Sequence, residues 1–107
     1  MAARSVELPL AVDQVIAVVS RATKAQHRFI LQSIDEEGAV FLRRTNLAFR
    51  AERITLTFMA RAHGVTAIEG SARSLDSLPG TDFGRGAKNL NVLLTGIREA
   101  ADEVTDA

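Results

Sequence analysis

Apolar and polar positions change their period several times along the chain, and each change marks an element. From Val12 onward, Val15, Ile16, Val19 and Ala22 recur three and four apart, the spacing of one helical face, with Asp13 in the first turn complementing the helix dipole. This predicts a helix from about Ala11 to Lys24, held by packing because its β-branched residues are mediocre helix formers. A stronger repeat closes the chain: Leu90, Leu93, Leu94, Ile97, Ala101 and Val104 on one side, with Asn91, Thr95, Arg98, Glu99, Asp102 and Glu103 on the other. It predicts a helix over Lys88–Val104 lying on an apolar surface with one side wet. Between the helices the period falls to two. Ile54, Leu56 and Phe58 alternate with Arg53, Thr55 and Thr57, as a half-buried strand requires.

The remaining strands follow from their boundaries. Ser5–Leu8 ends at Pro9 and reads as a short edge strand. Segments 28–34 and 39–45 flank Asp35-Glu36-Glu37-Gly38, a hairpin turn with glycine where a positive φ is expected. Ala62-His63-Gly64 turns the chain into a last strand, Val65–Ala72, whose small residues, Gly70 among them, allow the final helix a close approach. Segment 74–86, with Pro79 and three glycines, is a loop. The order is strand, helix, four strands, helix. It predicts an α+β, two-layer domain over residues 1–107: an antiparallel sheet of about five strands with both helices on one face. The expected core is Val15, Ile16, Val19, Ile54, Leu56, Phe58, Leu90, Leu93, Leu94 and Ile97.

Composition narrows the function classes. A chain of 107 residues can close one core unaided. Thirteen basic and thirteen acidic residues cancel, so no global field draws it to nucleic acid or an anionic membrane, and neither partner is expected. Cysteine is absent, which excludes disulfides, thiolate metal sites and cysteine nucleophiles. No apolar run approaches the roughly 20 residues that span a bilayer, and the first residues lack a signal-peptide core, so the expected location is cytoplasmic. Tryptophan and tyrosine are absent, which removes the usual aromatic anchors of tight interfaces.

The element order resembles the fold shared by the TATA-box-binding protein and the birch-pollen-allergen class of ligand-binding domains. Locally, Val6-Glu7-Leu8-Pro9 entering a helix at Val12-Asp13-Gln14-Val15 is similar to the opening of allergen-like domains. Asp82-x-Gly84 before Lys88-Asn89-Leu90 and Leu93-Leu94 resembles the ending of small bacterial domains of unknown function. The resemblance implies the strand-helix-four strands-helix arrangement and carries no catalytic residue with it.

Candidate chemistry is sparse. Gly84, Arg85, Gly86 and Lys88 open the last helix, so their amides and cations are a candidate site for a phosphate or carboxylate; the commoner use of such glycines is backbone geometry. His27 and His63 stand far apart without carboxylates at ligand spacing, so no metal and no cofactor are expected. Arg43, Arg53 and Arg61 would form an electropositive surface if they shared the face opposite the helices, although cross-strand pairing with Glu52 and Glu69 is the commoner arrangement. The strands 28–34 and 39–45 carry large apolar residues on both faces. That pattern predicts a homodimer using Phe29, Leu31 and Phe41. The function expected is therefore a non-catalytic domain acting through self-association or protein contacts. A binder of a small hydrophobic or anionic ligand between sheet and last helix comes second. An enzyme comes last, since no set of polar residues converges in the sequence.

Overall fold

A computed structural model of the chain describes residues 2–25, 29–44, 51–74 and 85–106. Its elements are β1 (Ala2–Leu8), α1 (Val12–Ala25), β2 (Phe29–Ile34), β3 (Gly38–Arg44), β4 (Ala51–Ala62), β5 (Val65–Ser74) and α2 (Arg85–Asp106). The strands form one antiparallel sheet in the order β1-β5-β4-β3-β2, so the four consecutive strands make a meander and β1 closes onto its far side. This is the α+β architecture that the hydrophobic pattern predicts.

Local chemistry sets the boundaries. The side chain of Gln14 accepts a hydrogen bond from the Ala11 amide at 3.0 Å, which satisfies a backbone donor at the start of α1 as half of a capping box does. In the β2–β3 turn, Asp35 Oδ1 accepts from the amides of Glu37 (2.8 Å) and Gly38 (3.1 Å), an Asx turn. Gly38 is not in the left-handed region, contrary to the expectation from the turn. A Cβ there would collide with the Leu56 carbonyl oxygen of the adjacent strand, so glycine serves close approach of two backbones. Gly64, at φ 71°, is where the left-handed conformation is used, in the β4–β5 hairpin. Helix α2 starts at Arg85 rather than Lys88, taking Arg85 and Gly86 into its first turn.

Strand register decides which side chains meet the helices. α2 lies over β1 and β5 and against α1, which covers β2, β4 and β5. Facing them are Leu8, Phe29, Phe41, Ile54, Leu56, Phe58, Ile68 and Ala72, which join Val15, Val18, Val19, Leu90, Leu93, Leu94, Ile97 and Ala101 in one core. Nine of the ten expected core residues are buried, and Ile16 packs at the margin. The small residues of β5 act as anticipated: a Cβ on Gly70 would lie 2.7 Å from Leu90 Cδ1 and 3.0 Å from Leu56 Cδ2, so these leucines fill the space a side chain would need. Buried Thr66 donates to the Leu10 carbonyl at 2.7 Å and ties the β1–α1 connection to β5.

Phe29 and Phe41 are corrected by this register. The sequence pattern puts both in a homodimer interface, yet they are 3% and 0% exposed within a single chain, because their side of β2 and β3 is the one beneath the helices. Leu31 shares that side and packs partly against the core. A shift in pairing between Leu31 and Ser33 carries Ile34 onto the same face, opposite Ala39. What remains on the open face is Ile30, paired with Leu42, and Val40 beside them.

Candidate functional site

Two groups of polar residues stand out, one on each side of the sheet. Beneath the first turns of α2, Glu52 is 6% exposed and Asn89 is 4% exposed, and Asn89 Nδ2 donates to Glu52 Oε2 at 2.8 Å. Arg43 sits directly across from both Glu52 and Phe29 in the sheet, with its guanidinium 5.9 Å from the Phe29 ring centre. Its Nε is buried without a hydrogen-bond partner among the described residues. The Asn89–Glu52 bond anchors the start of the last helix to the start of β4, and no local pattern in the sequence pairs two residues 37 positions apart with β4 and β5 between them.

The opposite face has no helix over it. Along β4 and β5 its composition changes in steps set by register. Arg53 lies directly across from Arg73, Thr55 from Ser71, and Thr57 from Glu69. Ser5 on β1 sits beyond Glu69, and Leu42 and Val40 on β3 adjoin Arg53 and Thr55. Ser5, Thr55, Thr57, Glu69 and Ser71, with Arg4 and Gly70, line an open groove of about 550 Å³.

Of the expected cross-strand pairings of arginines with Glu52 and Glu69, the register provides one, Arg43 opposite Glu52, without an ion pair between them among the described residues. Glu52 is on the helix side, held by Asn89, and Glu69 faces Thr57 and Ser5. Arg43 is likewise on the helix side, so it does not join Arg53 on the open face. Arg53 and Arg73 are exposed and make no ion pair with any described residue.

The other candidate residues are dispersed. Gly84 and His27 lie outside the described residues, and Arg85 and Gly86 occupy the first turn of α2. Lys88 is exposed and borders a shallow groove with Asn91, Val92, Thr95, Gly96 and Glu99 on the outer side of α2. His63 is an exposed turn residue. Among the described residues no three of histidine, aspartate and glutamate gather as a metal ion would require, and no helix is long and apolar enough to cross a membrane. Compared with models of known protein families and with curated proteins, the sequence matches none.

Proposed function

We propose that the chain is a non-catalytic assembly module whose copies pair through β2. The observation that carries this reading is the contrast between the two edges of the sheet. An unpaired edge strand offers its backbone donors and acceptors to any passing strand, and natural proteins guard such edges with charge, proline or a bulge. At one edge, β1 carries Arg4 and Glu7 and runs into Pro9. At the other, β2 reads Phe-Ile-Leu-Gln-Ser-Ile, with neither charge nor proline, and only the irregularity after Leu31 interrupts it.

The side chains agree with the backbone. Ile30 is 48% exposed on the open face, while Leu31 and Ile34 are half-buried on the helix side. Antiparallel pairing of β2 with its copy about a twofold axis continues the sheet and covers apolar surface on both of its faces at once. Of the three interface residues expected from the sequence, Leu31 alone offers side-chain surface to this arrangement, since Phe29, though on β2, is buried and Phe41 is buried on β3. Zero net charge leaves no long-range repulsion between copies. The alternative of a ligand between sheet and last helix gains nothing from the packing at Gly70, where Leu90 and Leu56 already meet.

Light scattering coupled to size exclusion tests the proposal. The expected mass is twice the chain's 11.5 kDa, falling to the single-chain value in Ile30→Lys, which alters an exposed position and leaves the core intact. A single-chain mass for the unmodified protein at micromolar concentration, or a dimer indifferent to Ile30→Lys, overturns it.

A further inference from the structure

We propose that Arg53, Arg73, Thr55 and Ser71 form a binding site for the phosphate group of a small molecule, on the face of the sheet that the helices leave open. The starting point is an arrangement that a fold does not need. Arg53 and Arg73 are directly opposite each other on adjacent strands, and like charges so placed repel. Both are exposed, and neither has an acidic partner among the described residues. Glu69 is on the same face, yet it stands opposite Thr57, beyond the Thr55–Ser71 pair. Among the described residues no carboxylate offsets the repulsion between the two cations, and an anion from outside would do so.

The neighbours select the anion. Thr55 and Ser71 are the next pair on the same face of the same two strands, so two guanidinium forks have two hydroxyl donors two residues along each strand. Opposed side chains on neighbouring strands begin about 4.5–5.5 Å apart at Cβ, close enough for both forks to reach one group. Guanidinium forks bind phosphate with paired, charge-assisted hydrogen bonds, and a tetrahedral oxyanion has the acceptors to engage the hydroxyls as well. The groove of about 550 Å³ that continues from Thr55 and Ser71 has the size of a small-molecule site and would hold the rest of the ligand. A polyanion fits less well: the net charge is zero, and the groove is lined by one residue of each sign, Arg4 and Glu69, rather than by a run of cations.

The site is on β4 and β5, away from the β2 edge, so it stands independently of the assembly reading. The test is an amide chemical-shift titration of the labelled protein with phenyl phosphate, inorganic phosphate and, at matched ionic strength, acetate. Saturable shifts centred on Arg53, Thr55, Ser71 and Arg73 are expected with both phosphates and not with acetate. Tighter binding of phenyl phosphate assigns the groove to the ester's organic part; equal binding assigns the site to the phosphate group alone, and both support it. Arg53→Gln and Arg73→Gln should each weaken binding about tenfold or more, with the mass in solution unchanged. Arg53→Glu, which creates an opposite-charge pair with Arg73, should abolish binding and raise the melting temperature. Shifts as large with acetate, binding that survives Arg53→Glu, or binding of a single-stranded oligonucleotide without binding of phenyl phosphate would each overturn the proposal.

Discussion

Asn89→Ala should be among the costliest polar substitutions in this chain. The side chain is 4% exposed and donates at 2.8 Å to a carboxylate whose residue is 6% exposed, so water cannot freely replace it. A hydrogen bond to a charged group contributes about 1.5–3 kcal/mol, and an acceptor left buried places the loss toward the upper end of that range. Against a total of about 5–15 kcal/mol for a domain of this size, that is a large fraction. The melting temperature should fall by on the order of 10 °C. Glu52→Gln keeps the shape and still presents an amide oxygen to Asn89 Nδ2, so it should cost less than about 1 kcal/mol. Urea unfolding followed by circular dichroism measures both, and the double variant closes the cycle. In the Glu52→Gln background the Asn89→Ala loss should shrink, because a neutral amide is cheaper to leave unpaired than a carboxylate. If Asn89→Ala unfolds within about 0.5 kcal/mol of the unmodified protein, or costs as much with glutamine at 52, the pair does not anchor α2 as described.

Other substitutions separate packing from backbone effects in the same assay. Leu94→Ala, in the sheet-facing side of α2, should cost about 2–5 kcal/mol, and an unchanged midpoint would mean that the helix is not docked. Gly38→Ala drives a methyl into the Leu56 backbone and should cost about 1–3 kcal/mol, whereas Gly70→Ala meets only the ends of the Leu90 and Leu56 side chains and should cost less; the reverse order would contradict the close backbone approach at Gly38. Thr66→Val removes the donor to the Leu10 carbonyl and should cost about 1–3 kcal/mol, a loss absent if that carbonyl finds water.

The sequence made the elements legible because each has its own period. The 3.6 repeat through Leu90, Leu93, Leu94 and Ile97 and the alternation through Ile54, Leu56 and Phe58 both survive in the fold with every one of these residues buried. Strands with apolar residues on both sides were a different matter. For Phe29-Ile30-Leu31 and Val40-Phe41-Leu42, alternation cannot say which parity faces the helices, and the bulge after Leu31 moves Ile34 across the sheet. Polar pairings were the least legible. That Arg53 faces Arg73 rather than Glu69, and that Glu52 meets Asn89, depends on register and on helix placement, neither of which leaves a local mark. The one local hint at Asn89 is its place beside the apolar stripe of Leu90, Leu93 and Leu94, which carries it toward the core.

The β1–β5 pairing has a consequence for the order of events during folding. Ala2 is matched with Ala72 and Leu8 with Thr66, whereas β2, β3, β4 and β5 each meet the next strand through a nearby turn or connection. Contacts between distant parts of the chain form late, because the intervening segment must first be ordered. During synthesis β1 emerges before any of the meander and has no partner until β5 has left the ribosome. Its Arg4 and Glu7 then have a second use: they keep a strand that must wait soluble and disinclined to pair with the wrong neighbour, while α1, whose apolar face needs the same sheet, waits with it.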